Sequence, residues 1–344
     1  MPSLKQICLA TVALVLALTV GVWQSYMTHH LEFTPVSLEG KTVVITGATD
    51  GIGKENAFVF AEWNVSTLIL PVRNEKKGLD VKEEILKSLS PATRAKVSIE
   101  VVPGVDLKNF ESVRQFALKM KNRRVDILIN NAGMSQPPVE KTVDGNEAVF
   151  QVNHLSPFLL THLLTPSLHL SPSPRVVFVG SGMHYLGSVG KTKYSKENRG
   201  LHVSFDIGRY SDTKLMNTMT ALTFAEKDKK VVFSSLNPGL VMSNLDGNLP
   251  PVIRNILQTV RRFIARSPRQ GTMTQVTLAT HPKLGKEVSG RYFSDHCMDT
   301  LCNRTCLYCD REKSPGVVPL AEASDKAARD WLWQESCEIT GAEC

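Results

Sequence analysis

The sequence predicts a single α/β domain built on a doubly wound parallel sheet and preceded by a membrane anchor. Three observations predict it. From residue 40 onward, apolar runs rich in β-branched residues alternate with amphipathic helical stretches. Those runs are continuously apolar, the pattern of strands covered on both faces. The first of them, "KTVVI", leads into "TGATDGIG", Thr46–Gly53, where three of eight residues are glycine.

The elements follow in order. "TVVITG" reads as a strand and "GKENAFVFAEWN" as a helix ending near Asn64. "STLILPVRN" is a second strand, and "KKGLDVKEEILKSL" a helix with Glu83, Glu84 and Lys87 on its polar face. "KVSIEVVPGVDL", "FESVRQFALKMKNR" and "VDILINNAG" read as strand, helix and strand. A long helix over "NEAVFQVNHLSPFLLTHLL" precedes a fifth strand, "RVVFVGSG". "YSDTKLMNTMTALTFAEKD" is helical and "VVFSSLNPG" is a sixth strand. No linker interrupts this Rossmann-type alternation, so residues 38–295 form one domain. Residues 249–269 read as a helical excursion beside a substrate site, and residues 296–344 as a cysteine-rich tail packed on the same domain.

With 344 residues, 42% hydrophobic and 21% charged, the chain can bury a core and carries no disorder signature. Its net charge of +7 is mild and scattered. The one dense basic patch, "RNILQTVRRFIAR" (Arg254 to Arg266), fits a membrane surface better than nucleic acid. Residues 1–30 form the anchor. Ile7 to Trp23 is an uncharged run of seventeen residues, at the short end of the roughly 17–25 that span a bilayer. Trp23 and Tyr26 fall at its end, where an interfacial aromatic belt sits. A cleaved signal peptide is the rival reading, but no clear small-residue cleavage site follows.

Glycines between a first strand and a first helix can set a dinucleotide pyrophosphate on the helix N-terminus. Gly47 permits the sharp turn, Gly51 lets the backbone approach a phosphate, and Gly53 lets the helix pack closely. Thr49, Asp50 and Ile52 complete the turn and are candidate cofactor contacts with it. The spacing is G-x-x-x-G-x-G, so the glycines alone are weak evidence. Further motifs stand at other strand ends: "NNAG" (Asn130 to Gly133), Ser181, "NPG" (Asn237 to Gly239), and "YSDTK" with Tyr210 and Lys214 four apart on a helix. Of six tyrosines, only Tyr210 has a lysine four residues on.

In this order, the set resembles the short-chain dehydrogenase/reductase family over about residues 40 to 295, and "GSGMHYLG" and "WLWQESCEITG" resemble its retinol-dehydrogenase-like branch. The resemblance implies an oxidoreductase in which Tyr210 is the acid/base. Lys214 would lower the phenol's pKa and hold the nicotinamide ribose. Ser181 would orient the substrate oxygen, and Asn153 would carry a relay water. The cofactor would also meet Asn131, Ala132, Gly133, Pro238 and Gly239, with Asp106 at the adenine. Asp106 reads equally well as a cap for the helix beginning near Phe110. Two departures stand out. Gly180 replaces the first of two serines usual in the family, and the stretch from Ser181 to Tyr210 is long.

At the end of the second strand an acid would accept from the ribose 2′-OH of NAD. Here Val72 stands in its place and Arg73 follows, which favours the 2′-phosphate of NADP(H). The reading is therefore an NADP(H)-dependent enzyme acting on an apolar alcohol or carbonyl at the endoplasmic-reticulum membrane. Its rival is a catalytically idle relative serving as a membrane-bound binding or scaffold protein. A homodimer is allowed but not specified.

Six of seven cysteines follow residue 296: Cys297, Cys302, Cys306, Cys309, Cys337 and Cys344. Disulfides, a metal site with His296, or reduced thiols all fit, and no metal ligand is assigned. With the sequons at Asn64 and Asn303 and with Lys5 ahead of the apolar run, the balance tilts toward a lumenal domain.

Overall fold

Successive residues of a strand point to opposite faces, and each inner strand here is apolar on both. The computed structural model describes residues 17–19, 21, 35–135, 139–201, 207–242, 255, 258–262, 265–282, 284–294 and 321–344. Its strands are β1 (Thr42–Ile45), β2 (Thr67–Val72), β3 (Ser98–Pro103), β4 (Ile127–Asn130), β5 (Arg175–Val179), β6 (Val232–Asn237) and β7 (Arg291–Ser294). They form one seven-stranded sheet in the order β3-β2-β1-β4-β5-β6-β7, every pairing parallel. The main helices are α1 (Gly51–Glu62), α2 (Glu75–Ser88), α3 (Phe110–Lys119), α4 (Ser156–His169), α5 (Ile207–Lys227), α6 (Met273–Thr280) and α7 (Lys326–Thr340).

The alternation within β1 divides the core. Val43 and Ile45 pack with Phe60 of α1, Ile85 of α2 and Val276 of α6. Val44 faces the other way, toward Phe116 of α3, Phe158 of α4, Phe224 of α5 and Leu332 of α7. The fold class is thus as the pattern predicts, a Rossmann-type single domain. The structure adds β7 beside β6, a four-residue strand whose sequence, RYFS, holds only two apolar residues and so shows no apolar run. α1 stops at Glu62, ahead of Asn64, whose left-handed φ of 59° turns the chain into β2.

The long helix expected before β5 is interrupted. Residues Gln151–Leu155 form a π turn ahead of α4. Pro157 has no N–H to offer the Asn153 carbonyl four residues back, so the regular ladder cannot run through. In the tail, α7 joins the same core through Leu332, Cys337 and Ile339, and Cys337 is disulfide-bonded to Cys344. His296 and Cys297 to Cys309 lie outside the described residues. So does the expected anchor apart from residues 17–19 and 21, which are helical. Among the described residues no helix is long and apolar enough to cross a membrane, and no His, Cys, Asp and Glu cluster suits a metal ion. Of the expected excursion, residues 258–262 are helical, and its base is pinned by Met242 N–H donating to Arg266 O at 2.9 Å.

Candidate active site

In a parallel sheet the strands all end at one edge, and the loops there carry the site. The glycine turn after β1 is bound to the loop after β4. Thr46 Oγ1 accepts from the N–H groups of Asn131 and Ala132, both at 3.1 Å. Asn131 Nδ2 donates to Thr46 O at 3.0 Å. Gly47 has φ +68°, and a Cβ there would lie 2.9 Å from Ala132 Cα. A Cβ on Gly53 would be 2.3 Å from both the Asn131 amide and Gly47 O. These glycines are therefore required by close packing, and the Asn131 side chain is used on the turn itself. Thr46, which sequence reasoning did not single out, is the residue that joins the two motifs.

Helix α1 begins at Gly51, with Asp50 as its cap. The first intrahelical bond is Lys54 N to Asp50 O. The amides of Ile52 and Gly53 lie ahead of it, as orphan donors at a positive helix end suited to a pyrophosphate. At the end of β2, Val72 offers no carboxylate. The neighbouring Arg73 is exposed and makes no ion pair among the described residues. Asp106 does not cap α3. Its Oδ1 accepts from Lys108 N at 3.0 Å in a turn, and Asn109 is the cap, accepting from Glu111 N. Asp106 is left half-buried next to β2, where Val105 N bonds Val72 O. The donor set present fits a nicotinamide dinucleotide.

The reactive end is built on α5. Tyr210 is half-buried, while Lys214 is 4% exposed. Lys214 Nζ donates to Val179 O at 2.7 Å and lies 5.4 Å from the Tyr210 ring centroid. Burial pulls the Lys214 ammonium from its ordinary 10.5 down to about 8. An exposed i, i+4 pair would have neither feature. A Cβ on Gly133 would stand 3.5 Å from Lys214 Nζ and 3.4 Å from Asn153 Oδ1, so the "NNAG" backbone passes directly between them. Asn153 grips that loop with both ends of its amide: Oδ1 accepts from Met134 N at 2.8 Å and Nδ2 donates to Met134 O at 2.9 Å. Nδ2 also donates to Thr213 Oγ1 at 3.0 Å.

Ser181 follows β5 in extended conformation and starts a short 3₁₀ turn, Gly182–Leu186. Its Oγ accepts from Met183 N at 3.1 Å, which leaves the O–H to donate outward. The missing first serine has a steric cause. A Cβ at Gly180 would meet Leu236 O of β6 at 2.6 Å. Gly187, where a Cβ would meet Ser211 O at 2.6 Å, seats this loop on α5 beside Tyr210. Gly239, at φ +84°, turns the chain after β6, and its N–H is held by Asn237 Oδ1 at 3.1 Å.

The long stretch between Ser181 and Tyr210 is latched to α5. Asp212 accepts from Ser188 N and from the Tyr194 hydroxyl, both at 2.7 Å. Next to Tyr210, Arg209 forms an ion pair with Glu147 at 2.7 Å, both side chains 2% exposed.

The chain matches the family model of short chain dehydrogenases over residues 41–251. It belongs to the short-chain dehydrogenase/reductase family. Human retinol dehydrogenase 12 is 34% identical over 313 residues, spanning 90% of this chain and 89% of that protein. Human retinol dehydrogenase 14 is 32% identical over 274 residues, 76% of this chain and 80% of that one. These relatives place this short-chain dehydrogenase/reductase in the retinol-dehydrogenase-like branch. Solved structures share its fold at lower identity. A short chain dehydrogenase from Salmonella enterica matches with TM-score 0.57 and 21% identity over 77% of this chain and 99% of that one. A Shigella flexneri chain complexed with NADP matches with TM-score 0.56 and 21% identity over 76% and 99%.

Proposed function

We propose that this protein is an NADP(H)-dependent oxidoreductase that interconverts an apolar alcohol with its aldehyde or ketone at a membrane. The substrate class is a retinoid, steroid, polyprenal or lipid aldehyde. The observation that carries the chemistry is the buried Lys214, one helical turn from Tyr210 and bonded to Val179 O near the Ser181 loop. When bound, the nicotinamide supplies or accepts the hydride. Tyr210 gives a proton to the carbonyl oxygen in reduction and takes one from the alcohol in oxidation. The Lys214 cation favours the phenolate and so draws the phenol's pKa toward the working range. The Ser181 hydroxyl donates to the substrate oxygen and fixes it against Tyr210. Asn153 holds the loop against which Lys214 lies and serves the relay that returns the proton from water.

Arg73 and the absence of an acid at Val72 support the phosphorylated cofactor. Apolar substrate is supported by the rim. Six of the exposed large hydrophobics, Val139, Val143, Tyr185, Leu186, Leu240 and Val260, lie on segments leaving β4, β5 and β6. Those segments emerge at the sheet edge that carries the site. The apolar run Ile7 to Trp23 would tether the protein to a bilayer. The Cys337–Cys344 disulfide supports an oxidising compartment, hence a lumenal domain.

Two experiments test the reading. Purified protein is given NADPH or NADH with retinal, steroid ketones and polyprenal, and cofactor absorbance is followed. NADPH oxidation with at least one of them is expected, and none with any would overturn the reading. For sidedness, a glycosidase-sensitive mobility shift abolished by Asn303→Gln or Asn64→Gln supports the lumen. Full protease sensitivity in intact microsomes, without glycan, places the domain in the cytosol.

A further inference from the structure

His154 follows Asn153 in the π turn and is fully buried, at 1% exposure. Its imidazole reaches two other elements. Nε2 lies 2.8 Å from Ser336 Oγ of α7. That hydroxyl already donates to Leu332 O at 2.7 Å, so it accepts here and Nε2 carries the proton. Nδ1 is then an acceptor, 3.5 Å from Thr220 Oγ1 of α5. Burial holds the ring neutral, its pKa lowered to about 3. Phe150 stacks beside it at 5.7 Å between centroids and Phe158 lies at 6.3 Å. No titratable side chain appears among these partners.

The two neighbours in the π turn are bonded to the same helix. Asn153 reaches Thr213 and His154 reaches Thr220, seven residues and about two turns further along α5. In a regular α-helix adjacent side chains diverge by about 100° and would not both face one partner. Both nevertheless reach α5 from the π turn that precedes Pro157. A π turn is seldom stable alone, so its register needs outside support. His154 carries that support from the C-terminal helix, which also packs Trp333 edge-on against Phe158 and Phe224 at 5.0 and 4.8 Å.

We propose that His154 is a positioning residue: by bridging Ser336 and Thr220 it holds the π turn in the register that brings Asn153 onto Met134 and Thr213. The proposal rests on the role given to Asn153 above. It makes α7, which contributes no side chain to the catalytic groups, a determinant of turnover.

The test compares Ser336→Ala, His154→Phe, His154→Gln and Asn153→Ala in the full chain. The substrate is whichever of retinal, steroid ketones and polyprenal the wild type reduces fastest with NADPH. Ser336→Ala and His154→Phe should lower kcat about 10-fold or more, with substrate KM and NADPH Kd within about twofold. His154→Gln, which keeps a donor for Ser336, should recover most of the loss. His154→Phe should cost little more on top of Asn153→Ala, since both act through one group. Amide exchange at residues 131–135 and 151–155 should quicken in Ser336→Ala. If Asn153→Ala is inactive while Ser336→Ala and His154→Phe turn over normally below their melting temperatures, the latch is refuted and the mechanism stands. Normal turnover in Asn153→Ala would overturn the role of Asn153, and the latch with it.

Discussion

Replacing Lys214 with methionine should make the protein more stable and inactive at once. The ammonium is fully buried, and burial lowers its pKa from 10.5 to about 8. At about 1.4 kcal/mol per pH unit, holding it charged costs about 3 kcal/mol at neutral pH. Methionine fills a similar volume without the charge, but forfeits the 2.7 Å bond to Val179 O, worth about 1 kcal/mol, and leaves that carbonyl short of a donor. The net gain is about 1–2 kcal/mol, or about 1.5–3 °C in Tm for a chain of this size. The sign with pH follows from linkage. Between about pH 8 and 10.5 the folded wild type binds fewer protons than its unfolded chain, so its stability rises with pH through that window. The advantage of the variant should therefore shrink between about pH 7 and pH 9.5. Melting of both proteins without cofactor at the two pH values reads this directly, and NADPH oxidation reads the loss of turnover. A variant less stable at pH 7, or a gap that does not change with pH, would refute the argument that Lys214 is held charged against its desolvation.

Tyr210→Phe should lower turnover by about 10²–10⁴-fold while cofactor binding survives, since only the acid/base is removed; steady-state rates and NADPH titration check it. Arg73→Ala should weaken NADPH about 10–150-fold and NADH far less, because a charge-assisted pair to the 2′-phosphate is worth roughly 1.5–3 kcal/mol. Equal loss for both cofactors would remove Arg73 from that role. Glu147→Gln should strip Arg209 of its carboxylate beside Tyr210, at about 3–5 kcal/mol, and lower Tm by about 4–7 °C. A drop under about 2 °C would show that the buried pair contributes little.

By itself the sequence determined the class of fold and pointed to most of the candidate site. Continuous apolar strands set the doubly wound sheet, because that pattern is local and repeats with each βα unit. The candidate catalytic groups were legible because the proposed chemistry needs particular residue types at short spacing, as with Tyr210 and Lys214, or at strand ends, as with Ser181. The glycine turn was legible for the same reason, since positive φ at Gly47 and Gly51 leaves a local mark. What only the tertiary structure decided depends on contacts between distant residues. Asn131 turned out to clamp the glycine turn, and Asp106 was displaced as the α3 cap by Asn109. Gly180 proved to be demanded by Leu236 O, a neighbour from another strand. β7 has no continuous apolar run to announce it, only Tyr292 and Phe293 between Arg291 and Ser294, and its place is set by pairing with β6. The π turn had a signal in Pro157, but its purpose did not. Whether His154 meets Ser336, 182 residues further along the chain, is settled only when α7 packs onto α5, because no local pattern encodes which buried hydroxyl an imidazole will find.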